Sequence, residues 1–424
     1  MKEIRVGIIG GGMISHRHMT IYENIRKRAE QYGFTAKVVA VAEIDDAKRK
    51  AWAERYGFDM KDMYADFREM LKRDDLDTID VCVHNNLHAP VSIAVMKAGF
   101  DCYCEKPEAA TYADARMMIE ASKKLGRKYH VQISSLMNNQ TRMARDMIAN
   151  GELGDLYYAN LTMVSRRRRP GYDLPQFTTD FYTKKVAGHG PLIDLGIYLI
   201  SQLLFVMGMP ELKSVSGFAT RGLEYDDRLI SDPNGFTVED LGCGLAKFEK
   251  NGKPLTFQVL GTSAANINDH MKTYILGSKG GLEIDHADTA GGPFAKAANA
   301  DAAELSAGDP SLTFYGDMGG KKNVTVELDA WNQGLYQPRL DPKMALYDDN
   351  QVMWLAYKLG ILDDTTRYNT PEIAAAMLKV TDGLFLSNEL GREVTADEIV
   401  ALSKSMAITE QETPFGVIKY DMSF

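Results

Sequence analysis

Ile4–Arg5–Val6–Gly7–Ile8–Ile9–Gly10–Gly11–Gly12–Met13–Ile14–Ser15 is the stretch that decides how this chain is read. Ile4 to Ile9 is apolar apart from Arg5, as a strand buried on both faces requires. It runs directly into Gly10 to Ser15, which fits Gly-x-Gly-x-x-small with Ser15 in the third position. The glycines let the backbone turn tightly and approach a pyrophosphate, which then rests on the N-terminus of the following helix. Placed between a strand and a helical segment, the motif assigns a dinucleotide site to Gly10, Gly12, Met13, Ile14 and Ser15.

The segments that follow extend the same pattern. A second strand, Val38 to Ala42, ends at Glu43, where a carboxylate accepts both ribose hydroxyls of adenosine and repels a 2′-phosphate. Glu43 thus favours NAD over NADP, although Asp45 and Asp46 also allow it to be a helix-cap carboxylate. Strands at Thr78–Val83, Asp101–Cys104 and Lys128–Ile133 alternate with helical segments, so the expected fold is α/β, with a doubly wound parallel sheet over residues 1–135. Ligands bind past the carboxyl ends of such strands. Two strand exits carry polar clusters, His84–Asn85–Asn86–Leu87–His88 and Glu105–Lys106–Pro107. Lysine suits proton transfer because its pKa falls readily on desolvation. His88 reads equally as a packing or capping histidine.

Composition narrows the function. The chain has 424 residues, enough for two or three domains, with 45% hydrophobic and 25% charged residues. A net charge of −9 disfavours nonspecific nucleic-acid binding. Four cysteines, Cys82, Cys102, Cys104 and Cys243, are too few for a disulfide scaffold and suit a reducing compartment. With no membrane-length apolar run and no secretory leader in the sequence, the expected location is the cytoplasm.

Taken together, the Gly10–Ser15 loop, Glu43, Asn85–Asn86–Leu87–His88 and Glu105–Lys106–Pro107 resemble, in order and spacing, the glucose–fructose oxidoreductase / inositol dehydrogenase / MocA (Gfo/Idh/MocA) family. The resemblance implies that Lys106 lies beside the nicotinamide and the reacting hydroxyl, and that Glu105 and Asn85 line the cofactor site. The family's second signature, a glycine-rich turn and then Asp-x-Gly-x-His, corresponds to Gly188–His189–Gly190–Pro191–Leu192–Ile193–Asp194–Leu195–Gly196–Ile197–Tyr198. On one helix, Asp194 and Tyr198 would share a face. Tyr198 replaces the usual histidine. With an ordinary pKa of about 10 it is a poorer base unless a cation such as Lys106 lowers it. His189, where glycine is usual, offers another imidazole or a loop histidine facing solvent. Leu136 replaces an arginine that many members carry before the helix of about Asn139 to Ala149.

Beyond Gly154 the pattern changes to alternating strands: Leu156–Ser165, Glu211–Thr220, Leu241–Lys247, Leu255–Thr262 and Tyr274–Leu276. These predict a C-terminal α+β domain, 136–424, with a large, mostly antiparallel open sheet for substrate binding and oligomerisation. Helices at Asn350–Leu359 and Pro371–Asn388 are expected to return to the first domain. Arg166 to Arg169 read as a solvated loop, or as a grip on a carboxylate, phosphate or sugar hydroxyl. Ala287 to Gly320 reads as an insertion, and Asp285, His286 and Asp288 as a polar loop rather than a metal site.

The expectation is an NAD-dependent oxidoreductase acting on a secondary hydroxyl of a sugar, glycoside or polyol. Its catalytic residues are Lys106, Tyr198, Asp194 and His189, it carries no metal, and it forms a homo-oligomer, dimer or tetramer. Two other readings stay open: a glycosidase that uses NAD transiently at a sugar C3, and a non-catalytic nucleotide-sensing regulator. Loss of the lysine would mark the regulator, and Lys106 is present.

Overall fold

The computed structural model describes residues 1–174, 179–223, 236–284, 311–318, 320–329, 346–347, 349–362 and 368–424. The chain forms two compact units. The first takes Met1–Gln132, Leu346–Ala375 and Lys404–Phe424; the second takes Ile133–Ala345 and Ala376–Ser403. The chain thus passes between units more than once.

The first unit is built on six strands: β1 (Lys2–Ile9), β2 (Phe34–Ala42), β3 (Met63–Tyr64), β4 (Thr78–Val81), β5 (Asp101–Cys104) and β6 (Tyr129–Val131). They pair in parallel in the order β3-β2-β1-β4-β5-β6. This is the doubly wound arrangement expected from the alternation of strands and helices. Consequently the loops leaving β1, β4 and β5 are neighbours along one edge. Helix Met13–Lys27 buries Ser15, His18, Met19, Tyr22 and Ile25, an inward stripe at helical spacing that carries polar as well as apolar groups. Helix Asn350–Lys358 is capped by Asp349, whose side chain accepts from the Gln351 N–H. It buries Trp354 in a stack with Tyr103 and His130, with centroids 6.0 and 5.7 Å away.

Among the described residues, the second unit holds a sheet of nine strands, in the order β14-β13-β12-β11-β7-β10-β9-β8-β15. In chain order they are β7 (Leu156–Arg166), β8 (Glu211–Thr220), β9 (Leu241–Lys250), β10 (Lys253–Ala265), β11 (His270–Gly277), β12 (Gly280–Ile284), β13 (Ser311–Met318), β14 (Lys321–Asp329) and β15 (Val394–Thr395). All pairs are antiparallel except β7 with β10. β13 occupies part of the stretch read as an insertion; its Phe314 side chain is buried, the period-2 signal that low-complexity flanks concealed. The rest of 287–320 up to 310, with Asp285, His286 and Asp288, lies outside the described residues. Gly242 and Gly261 leave room on β9 and β10 for Leu192, since a Cβ on either would come within 2.3 or 2.7 Å of its side chain. That close approach seats the Pro191–Asp194 turn directly on the sheet.

Among the described residues, no single helix is long and apolar enough to cross a membrane. The apolar helix Gly196–Val206 is buried inside the second unit instead.

Candidate active site

At the end of β1, Gly10 has φ +99°, and a Cβ there would strike the Cys82 carbonyl at 2.3 Å, so glycine is required. Gly12 is the N-cap of helix Met13–Lys27 and makes no side-chain cap; no acidic residue stands in the first turn. A Cβ on Gly12 would meet nothing within 4 Å, which leaves open space over a bare, positively polarised helix end. Ser15 turns inward: its hydroxyl donates to the Gly12 carbonyl at 2.7 Å and accepts from Trp52 Nε1 at 3.1 Å. Glu43 leaves β2 beside this loop, with Oε2 accepting the Gly11 N–H at 2.8 Å and Oε1 the Asp45 N–H at 2.9 Å. The loop, the open helix end and the carboxylate fit a pyrophosphate and a ribose diol.

Lys106 leaves the carboxyl end of β5 half-buried, joined to Pro107 by a cis peptide. Glu105, 4% exposed, fixes that exit: Oε2 accepts the Lys106 N–H at 2.9 Å, and its own N–H donates to Val81 of β4. His88 is buried with Nδ1 2.7 Å from the Pro107 carbonyl and Nε2 3.0 Å from that of Val83. Burial pushes its pKa down. A neutral ring has one N–H and donates to one of these carbonyls; the shorter contact, to Pro107, would join the segment after β4 to the β5 exit. Asn85 is half-buried at the first turn of helix Asn85–Lys97.

Beneath Glu105 lies a cluster that the motifs did not reveal. His18, fully buried, places Nδ1 2.8 Å from Asp80 and Nε2 2.9 Å from Glu105. Asp80 also accepts the Tyr22 hydroxyl, at 2.8 and 2.9 Å to its two oxygens. Burial alone would favour a neutral ring. Hydrogen bonds to the Cys82 sulfur and to the carboxylates of Asp80 and Glu105 outweigh it, and His18 titrates well above its ordinary value. Although burial opposes its charge, the hydrogen bond from His18 keeps the Glu105 carboxyl below its usual range. Two sequence signals could have found the cluster: His18 on the inward face of the first helix, and Asp80 inside an otherwise apolar strand.

Asp194, Tyr198 and His189 belong to the second unit. The single helix expected to carry Asp194 and Tyr198 on one face is in fact two. Pro191–Asp194 and Gly196–Val206 are separated at Leu195, and the segment ending at Asp194 meets the next helix at 48°. The Tyr198 N–H reaches the Leu195 carbonyl, a tight turn rather than a continuing α-helix. Both side chains are half-buried. His189 is not a solvent-facing loop residue: it is 9% exposed, stacked on Phe385, with Nδ1 3.4 Å from Glu239. Glu239, in a Val-Glu-Asp run that reads as a turn, also accepts the Gly190 N–H at 2.7 Å. Leu136 is fully buried.

The arginine run divides between solvent and pairing. Arg166 and Arg167 are exposed, Arg168 pairs with Asp269 at 2.8 Å, and Arg169 is fully buried against Asp173 at 2.6 Å. Among the described residues, no group of three or more His, Cys, Asp or Glu is arranged to hold a metal.

Residues 4–133 match the oxidoreductase family with an NAD-binding Rossmann fold, and residues 141–283 match the GFO/IDH/MocA C-terminal domain. This chain belongs to the GFO/IDH/MocA oxidoreductase family. A D-glucoside 3-dehydrogenase of Escherichia coli K12 is 30% identical over 253 residues, covering 59% of this chain and 68% of the relative. An inositol 2-dehydrogenase of Salmonella paratyphi B is 29% identical over 175 residues, covering 41% of this chain and 49% of the relative. The crystal structure of an NAD-binding oxidoreductase from Klebsiella pneumoniae has a TM-score of 0.72 at 21% identity, over 93% of this chain and 99% of that one. That last likeness concerns the fold alone. Family and named relatives together make this GFO/IDH/MocA protein a nicotinamide-dependent dehydrogenase.

Proposed function

We propose that this enzyme oxidises a secondary hydroxyl of a sugar, glycoside or polyol with NAD, Lys106 accepting the hydroxyl proton. The observation that carries the reading is the position of Lys106 at the β5 exit, beside the exits of β4 and β1 in strand order, with its backbone held by Glu105. The names of its relatives, which act on a glucoside and an inositol, support the substrate class. Glu43 supports NAD over NADP, because a 2′-phosphate would meet its carboxylate.

Gly10, Gly12, Met13, Ile14 and Ser15 would hold the pyrophosphate, Glu43 the ribose diol, and Asn85 and Glu105 the nicotinamide end. Bound NAD supplies the hydride acceptor. As the substrate C–H bond gives up its hydrogen with both electrons, the O–H proton passes to the Lys106 amine, and a ketone is left. For that step the amine must start neutral. Asp194, Tyr198 and His189 are proposed to orient substrate hydroxyls or relay the proton. The free cysteines fit a cytoplasmic setting, and homo-oligomer formation belongs to the same proposal.

Methyl β-D-glucoside, levoglucosan and myo-inositol, each with NAD or NADP, are the test panel, followed at the NADH absorbance band. NADH should accumulate with NAD on at least one member. Lys106→Ala should cut kcat by about 100-fold or more with NAD affinity unchanged. Undiminished turnover in that variant sinks the catalytic role. Phenol release from a nitrophenyl glucoside without NADH build-up would replace net oxidation by glycoside cleavage.

A further inference from the structure

We propose that His18 is a positioning and charge-setting residue for Lys106, acting through Glu105; the inference rests on the reading of Lys106 as proton acceptor. Both His18 nitrogens lie within hydrogen-bond distance of carboxylate oxygens, 2.8 Å to Asp80 and 2.9 Å to Glu105. A neutral imidazole carries one N–H and cannot donate to both. Asp80 receives two donors, His18 and the Tyr22 hydroxyl, as an ionised carboxylate does. Burial raises the Asp80 carboxyl, and the hydrogen bonds from His18 and Tyr22 oppose that rise. With the ring between two acidic partners, we infer an imidazolium flanked by two carboxylates, with 0% side-chain exposure at His18 and Asp80 and 6% at Glu105.

Cys102 faces Asp80 and Cys104 faces Glu105, and burial raises both thiols, so neither carries charge. Burial keeps the Cys82 thiol, 3.6 Å from Nδ1, and the Tyr22 hydroxyl neutral by raising both pKa values. Tyr103, whose ring centroid is 5.7 Å from that of His18, is likewise pushed up by burial, and His88 is held neutral. The cluster's net charge is thus −1, and Glu105 is its member that reaches Lys106.

Two effects on Lys106 follow. Held from behind by His18, Glu105 keeps its second oxygen on the Lys106 N–H, which fixes where the lysine leaves the strand. The positive ring also offsets the Glu105 charge, which would otherwise stabilise the Lys106 ammonium and leave less neutral amine to take a proton. His18 touches neither substrate nor cofactor in this account.

The test uses the full-length protein without cofactor or substrate. Its lysines are reductively dimethylated with ¹³C-formaldehyde, and Lys106 is identified as the signal missing from Lys106→Ala. His18→Gln should move the Lys106 titration to higher pH by about one unit, the effect of losing one nearby charge. Glu105→Gln should move it to lower pH, and this isosteric change carries the test if His18→Gln does not fold. No movement, or movement of both variants in one direction, overturns the proposal, because a purely structural role gives no opposed shifts. Turnover of methyl β-D-glucoside is measured in parallel. His18→Gln should lower kcat/KM about 10- to 100-fold at pH 7 in the wild-type background and not further in Lys106→Ala. Full turnover by Lys106→Ala would instead remove the functional reading while leaving the titration to judge His18.

Discussion

The imidazole of His189 lies flat on the ring of Phe385, centroids 3.5 Å apart and planes 4° from parallel, although 196 positions separate them in the chain. Glu239 holds the same imidazole from its edge. A histidine on a glycine-rich turn is thereby given one orientation. The stacked pair should be coupled in thermal unfolding. His189→Ala and Phe385→Ala together should cost less than the sum of the single changes by about 0.5–1.5 kcal/mol. Strict additivity would show that the stack contributes nothing.

Glu43 should govern cofactor choice. Its carboxylate is half-buried and aligned by two backbone N–H groups, Gly11 and Asp45. Glu43→Ser removes the proposed acceptor for the ribose diol and the charge proposed to oppose a 2′-phosphate. NAD binding should weaken by about 10- to 100-fold, the equivalent of one or two charge-assisted hydrogen bonds. NADP binding should weaken less or tighten. Fluorescence titration of both cofactors measures this; equal losses for the two would show that Glu43 does not discriminate.

Glu108 should make the protein less stable in alkali. It is fully buried, and the Tyr129 hydroxyl, the polar side chain that faces it, offsets only part of the burial cost. Burial raises its pKa well above the ordinary carboxyl value, so the folded state holds a proton that the unfolded chain releases above about pH 4.5. Stability from this group therefore declines as pH rises from there towards the folded pKa. His18 acts in the same sense: its contribution is full below about pH 6.5 and is lost as pH rises through its raised folded pKa. Glu108→Gln should raise Tm at pH 8 by about 2–4 °C for each kcal/mol gained and change little at pH 4.5. A Tm difference independent of pH would exclude a buried protonated carboxyl.

His130 sets the opposite limb. Burial lowers its pKa to about 4, and the neutral ring donates from Nε2 to Asn350 Oδ1 at 2.8 Å. The unfolded chain takes up a proton below about pH 6.5 that the folded state refuses until about pH 4. Stability should fall through that window by up to about 1.4 kcal/mol per pH unit. In His130→Phe, which keeps a flat ring beside both Tyr103 and Trp354, that part of the acid slope should vanish even as overall stability drops. Denaturant midpoints between pH 4 and 7 would show it; an unchanged slope would assign the acid limb to other groups.

Short-range chemistry wrote the first unit plainly. A glycine loop, an acid after the second strand and a lysine after a buried strand each use residues adjacent in sequence, where steric demand or strand polarity leaves few alternatives. The parallel, doubly wound sheet followed from the alternation of strands and helices, while the strand order was set by the pairing itself. The second unit was legible as strands from Leu156 to Leu276. β13 and β14 were concealed because their flanks carry little periodicity, and the expected Asp194–Tyr198 helix failed because a turn at Leu195 interrupts it.

Sequence alone determined that a glycine loop follows the first strand, a carboxylate the second and Lys106 a later buried strand, the residues to which the proposed function gives the cofactor and the proton. Only the tertiary structure decided what stands behind them. His18 meets Asp80 across 62 positions and Glu105 across 87, and His189 meets Phe385 and Glu239. These contacts depend on which strands pair, in what register, and which helix face turns inward. A buried charge finds its partner through that three-dimensional closure, and no local spacing encodes it.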